Sequence, residues 1–149
     1  MPAETEPLRH EVRIAAPPEV VFPFFTDPAR MVRWMGISAL LDPRPGGALR
    51  IDVAGRNVAV GEYTVVEPPS RVEFTWGFDG DEAPVAAGST RVEVTLEPDG
   101  GGTLLTLWHY GLTGEERAGH DDGWTHYLGR LTPAAVGEDP GPDSWITAA

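Results

Sequence analysis

The stretch Thr113-Gly-Glu-Glu-Arg-Ala-Gly-His-Asp-Asp-Gly-Trp-Thr-His-Tyr-Leu-Gly-Arg-Leu131 decides how this chain folds. His120, Trp124, Tyr127, Leu128 and Leu131 recur at steps of four, three, one and three, which puts all five on one face of a helix. Asp121, Asp122 and Arg130 fall on the opposite, solvated face. Thr113 stands where a capping side chain belongs. Glu115 and Glu116 set negative charge in the first turn, against the positive end of the helix dipole. A helix with one aromatic face has to lie on an apolar surface, and the residues before it supply that surface as strands.

Working back from the helix, Leu105-Leu107-His109 and Val92-Val94-Leu96 show the period-2 alternation of half-buried strands, joined by the hairpin signal Pro98-Asp99-Gly100-Gly101-Gly102. Asp79 to Gly88 is a loop of polar and small residues. Before it, Val72, Phe74 and Trp76 alternate with Arg71, Glu73 and Thr75. Pro68-Pro69-Ser70 separates that run from Val58-Val60-Glu62-Thr64-Val66. Gly55-Arg56-Asn57 reads as a turn leading back to Leu49-Ile51-Val53, which Gly46-Gly47 precedes. Strands at this spacing predict one meandering antiparallel sheet.

The N-terminal part completes the pattern. Leu8, His10, Val12 and Ile14 alternate with Arg9, Glu11 and Arg13 as a first strand. Pro17-Pro18-Glu19 opens a short apolar helix through Val21, Phe22, Phe24 and Phe25, with Pro23 at its start or kinking it. Asp27 caps a second short helix whose first position is Pro28, running through Met31 and Trp34. We expect residues 1–7 to be a flexible N-terminus and 8–132 the folded domain. Residues 133–149, rich in Pro, Gly and Asp, are expected to form an irregular tail pinned by Trp145.

Composition narrows the function. The chain has 149 residues, which suits one domain of the usual ~100–200. Its net charge is −12, and all 11 basic residues are Arg, so it offers no basic stripe to nucleic acid and repels anionic membranes. Without Lys there is no Schiff-base chemistry, and without Cys there is no disulfide, thiolate nucleophile or Cys-ligated zinc. The N-terminal residues do not read as a signal peptide, and no apolar run reaches the ~20 residues of a membrane span. A cytoplasmic bacterial protein without a cofactor is the expectation.

Several stretches carry a family resemblance: Pro18-Glu-Val-Val-Phe-Pro-Phe-Phe-Thr-Asp-Pro28, Trp34-Met35, Gly46-Gly-Ala-Leu-Arg50, Gly61-Glu-Tyr-Thr-Val-Val-Glu-Pro-Pro69 and Arg71-Val-Glu-Phe-Thr-Trp76. Thr90-Arg-Val-Glu-Val-Thr-Leu96, Gly102-Thr-Leu-Leu-Thr-Leu-Trp-His109 and Gly123-Trp-Thr-His-Tyr-Leu-Gly-Arg-Leu131 continue it. In this order, over roughly residues 10 to 131, they resemble the SRPBCC (START/Bet v 1-like) superfamily, in the branch named for homology to activators of heat-shock protein 90 ATPase. The resemblance implies an α+β helix-grip fold. In that fold a curved antiparallel sheet wraps around a long C-terminal helix in the order β-α-α-β(about six)-α. Superfamily relatives bind lipids, sterols, polyketides and plant hormones, and some catalyse cyclisation or dehydration. Small stand-alone members look mostly like ligand-binding proteins.

A twisted sheet around one helix encloses space unless large side chains fill it. The candidate lining of such a cavity is Phe25, Trp34, Met35, Tyr63, Phe74, Trp76, Trp124 and Tyr127, though aromatics also fill cores. His109 shares a strand face with Leu105 and Leu107, and His120 lies one turn before Trp124. Both should point between sheet and helix, to orient a ligand carbonyl or carboxylate or to move a proton; satisfied core histidines are the alternative. His10 and His126 have no evident partner. Glu62, Glu67 and Glu73 read as outward-facing, and Asp121-Asp122 as a solvated acidic face rather than a metal site. No serine elbow, phosphate-binding loop or zinc motif is present; the paired glycines belong to hairpins.

The expected function is binding of a small hydrophobic or aromatic molecule. An enzyme like the polyketide cyclase/aromatases using the cavity histidines is second, and a module that stimulates a chaperone ATPase is third. A homodimer would cover open sheet edges.

Overall fold

The alternating runs become seven antiparallel strands: β1 Leu8–Ile14, β2 Ser38–Leu41, β3 Ala48–Asp52, β4 Val58–Glu67, β5 Arg71–Trp76, β6 Thr90–Asp99 and β7 Gly102–Tyr110. The structure, a computed structural model, describes residues 6–53 and 57–146. The proposed turn at Gly55-Arg56 and most of the expected flexible N-terminus (residues 1–5) lie outside the described residues. The sheet order is β1-β7-β6-β5-β4-β3-β2, so the chain meanders from β2 to β7 and β1 closes the far side. This is the expected helix-grip α+β architecture.

Local chemistry explains the joints. The β6–β7 register pairs Asp99 with Gly102, leaving a two-residue turn of Gly100 and Gly101 at φ +56° and +88°. Positive φ at both central positions is what a tight hairpin requires, and glycine takes it without a steric cost. In β4 the register against β5 shifts between Tyr63 and Val65, an irregularity of the kind that bends a strand locally.

Helix α1 (Pro18–Val21) starts after Pro17 with Glu19 in its first turn, and Phe22–Phe25 follow as a 3₁₀ turn containing Pro23. Helix α2 (Pro28–Met31) is capped as expected: Asp27 Oδ1 accepts from the amide of Ala29 at 3.0 Å. The long helix α3 spans Gly114–Ala134. It differs from expectation at both ends. Thr113 occupies the N-cap position, but its side chain makes no capping bond. The helix also does not stop at Pro133, which lies inside its last turn, so the tail begins later than the sequence suggests.

The core lies between the sheet and α3, where Val92, Val94, Leu105, Leu107, Leu128 and Leu131 are all buried. The outer face of the sheet is laced with charge. Glu73 is buried there (8% exposed), taking Arg91 Nη1 at 2.7 Å and the Thr64 hydroxyl at 2.7 Å. Burial alone would raise its pKa, but those hydrogen bonds and the charges of Arg91 and Arg71 hold it below the usual range. Glu62 and Glu67 are exposed, as read. Among the described residues no helix is long and apolar enough to cross a membrane.

Candidate functional site

The N-terminal half of α3 does not close onto the sheet. Beneath it lies a cavity of about 390 Å³, within the usual ~300–1,000 Å³ of small-molecule sites. One stripe of α3 forms its roof: Glu116, Gly119, His120, Gly123, Trp124 and Tyr127, spaced i, i+3, i+4, i+7, i+8 and i+11. Trp76 and Phe78, from the end of β5 and the loop after it, form the floor. Met35, Val53 and Asn57 close one side, and Trp145 of the tail closes another. At Gly119 and Gly123 an added Cβ would meet nothing within 4 Å. Helix interiors disfavour glycine by about 1 kcal/mol relative to alanine; at the half-buried Gly123 its smallness leaves the space clear, while Gly119 is exposed at the cavity's edge.

Two histidines meet at the inner wall, their rings 5.1 Å apart and edge to face. Each accepts a hydrogen bond from an indole, and an indole can only donate. Trp124 Nε1 donates to His109 Nδ1 at 2.9 Å, so the His109 proton sits on Nε2 and points to Thr90 Oγ1 at 2.8 Å. Thr90 in turn donates to the carbonyl of Trp76 at 2.7 Å. His109 is fully buried, and desolvation, helped by the neighbouring His120, pushes its pKa down to about 3. It is a neutral, fully satisfied residue buried behind the wall.

His120 has the opposite tautomer. Its Nδ1–H donates to the carbonyl of Glu116 at 2.8 Å, and Trp76 Nε1 approaches Nε2 at a long 3.3 Å. Burial lowers its pKa, while the Glu116 carbonyl and side-chain charge pull the other way. The cavity-side nitrogen is therefore a weakly engaged acceptor. A carbonyl or carboxylate would find no donor there, contrary to the orientation role expected from the sequence.

This architecture can be set beside known proteins. Residues 15–135 match the family described as Activator of Hsp90 ATPase homolog 1-like protein. The chain belongs to this family. Among solved AHSA1-like relatives, a protein from Rhizobium etli is 45% identical, with 100% of this chain and 92% of that one covered at a TM-score of 0.74. CalU16 from Micromonospora echinospora is 29% identical, covering 88% of this chain and 76% of its own at 0.71. DynU16, a protein of the dynemicin biosynthetic locus, is 28% identical over 93% of this chain at 0.79, and this chain spans 51% of its length. No curated protein matches the chain.

Within this AHSA1-like frame the expected lining residues separate into two groups. Met35, Trp76, His120, Trp124 and Tyr127 border the cavity. Phe25, Trp34, Tyr63, Phe74 and His109 do not: they are buried behind it as packing. Their polar tips show why. Trp34 Nε1 donates to the Phe24 carbonyl at 3.0 Å and Tyr63 Oη to the Phe25 carbonyl at 2.7 Å, bracing the 3₁₀ turn. Phe25 sits edge-on to Trp34 at 5.3 Å and Phe74 to Tyr63 at 6.1 Å.

The sequence reading missed Phe78, Glu116, Gly119, Gly123 and Trp145 as lining, along with Val53 and Asn57. Phe78 continues the Val72-Phe74-Trp76 period by one step. The two glycines and Glu116 lie on the recognised helical stripe but carry no apolar signal.

The tail is held by Asp143, Trp145 and residues of α3. The buried carboxylate of Asp143 accepts from Tyr127 Oη at 2.8 Å and from the Trp145 amide at 2.9 Å, and lies 2.7 Å from His126 Nε2. Trp145 stacks flat on His126 with ring centres 4.0 Å apart. Arg130 is not a solvated residue: its Nε and Nη1 donate to the carbonyls of Trp34 and Gly141. His10 also has a neighbour, with Nε2 lying 2.8 Å from Asp121 Oδ1 but making no hydrogen bond. Among the described residues no group of three or more His, Asp or Glu side chains is placed to hold a metal.

Proposed function

We propose that this AHSA1-like protein binds a small hydrophobic or aromatic molecule in the cavity under α3. One observation carries the reading: the roof helix has glycine at the half-buried Gly123, which lines the cavity and where a side chain would enter open space. A helix that only needed to pack would gain stability from larger residues there. The walls offer aromatic faces from Trp76, Phe78, Trp124 and Trp145, the surface that planar apolar ligands bury well.

The geometry lends less support to a cyclase-like enzyme. Both ring nitrogens of His109 are committed, and His109 is sealed behind Trp124. Only His120 reaches the cavity, without a second titrating partner for proton relay beyond the rim residue Glu116.

Native mass spectrometry of freshly purified protein tests the proposal, repeated after denaturation with identification of what is released. A bound small molecule that Gly123→Leu excludes supports it. Protein that carries nothing, and whose melting temperature no aromatic probe shifts, overturns it.

A further inference from the structure

Resting on that binding reading, we infer that the cavity selects an organic cation, a protonated amine carried on an aromatic or apolar body. The charge and the aromatic faces of the wall point this way. Three of its polar donors are already spent: Trp124 N–H on His109, Trp76 N–H toward His120, and the Tyr127 hydroxyl on Asp143. The one formal charge among the described lining residues is Glu116, one helical turn before His120 and close enough for its charge to act on that ring. Among the described lining residues, Asn57 and the Trp145 indole N–H bring donors that are not already committed, and neither carries a charge.

The charges agree. No described residue lining the cavity is cationic. Arg130, whose charge reaches Tyr127, has its guanidinium turned to the carbonyls of Trp34 and Gly141. The chain as a whole carries −12. Aromatic faces add to this, because the negative face of each ring attracts a cation placed over it, most strongly for tryptophan. Three tryptophans border one space here, with Trp76 and Trp124 only 5.5 Å apart. An anionic ligand would meet the Glu116 charge, ring faces and net negative charge. An ammonium group would find all three favourable.

The test uses three probes of one shape: 2-naphthylmethylammonium, 2-naphthylmethanol and 2-naphthoate, titrated calorimetrically into the intact protein at neutral pH and fixed ionic strength. The ammonium should bind about tenfold more tightly than the alcohol, and the carboxylate weakest of all. Glu116→Gln should weaken the ammonium about fivefold and leave the alcohol unchanged. Gly123→Leu should abolish binding of both. Equal binding of alcohol and ammonium, or tighter binding of naphthoate, overturns the cation preference while leaving the cavity reading intact. Ammonium binding that survives Gly123→Leu places the cation on the acidic surface and overturns the inference as well. If none of the three binds, the cavity reading falls too.

Discussion

Replacing Gly123 with leucine separates a cavity kept open from a core that happens to be loosely packed. A Cβ at Gly123 would meet nothing within 4 Å, and the residue lines the cavity from the middle of α3. Leaving glycine for a good helix former is worth about 0.8–1.0 kcal/mol in a helix interior. Fully burying a leucine side chain is worth about 1.5–3 kcal/mol, and here, against Trp124 and Trp76 on one side only, less than half of that. Gly123→Leu should therefore raise stability by about 1–2 kcal/mol, or about 2–8 °C in melting temperature. Gly129, also on α3 but exposed, is the reference, since Gly129→Ala carries the propensity gain alone. Urea unfolding of wild type, Gly129→Ala, Gly123→Ala and Gly123→Leu should show the two alanine variants alike and the leucine variant above them, with unchanged denaturant dependence. The leucine variant should also lose ligand. A loss of more than about 1 kcal/mol in Gly123→Leu would mean that a side chain there has to displace its neighbours. The space would then not be free, and the reading of the roof would be wrong.

Two further outcomes follow from the titrating groups and the tail. His109 is held neutral in the fold, with its pKa pushed from 6.5 to about 3, so between those values the unfolded chain takes up a proton that the folded one refuses. The stability this group contributes is complete above pH 6.5 and falls by about 1.4 kcal/mol for each pH unit below it. Unfolding measured from pH 7 to 4 should show this slope in wild type and a shallower one in His109→Gln, and parallel slopes would refute the assignment. Asp143→Ala removes the acceptor shared by Tyr127, His126 and the Trp145 amide. It should cost about 1–3 kcal/mol and speed hydrogen exchange across residues 138–146, whereas unchanged exchange there would show that the stacking of Trp145 on His126 holds the tail by itself.

The elements were legible in the sequence because periodicity is local. The alternation of Val72, Phe74 and Trp76 and the Gly100-Gly101 turn depend on backbone geometry over a few residues. So does the Asp27 cap. The same holds for the face of α3 that carries Trp124, Tyr127, Leu128 and Leu131, all buried. The irregular tail expected from residue 133 on composition begins slightly later, because Pro133 sits in the last turn of α3, which ends at Ala134. The resemblance over residues 10 to 131 and the match over 15–135 agree because the ordered motifs are these same local elements.

Which of those buried residues border empty space could not be read locally. Phe74 and Trp76 share a strand face, yet Phe74 packs against Tyr63 while Trp76 reaches the cavity two residues on, at the end of β5. Hydrophobicity marks both as inside and says nothing of what lies opposite. The informative residues at Gly119 and Gly123 have no side chain to signal with, and their meaning depends on a floor more than forty residues away in sequence. The histidine tautomers were decided the same way, by indole donors arriving from β5 and α3. By itself the sequence determined a sheet, a long helix and the faces they bury. The tertiary structure alone decided where helix and sheet part, because a cavity is defined by the distance between elements rather than by the residues of either one.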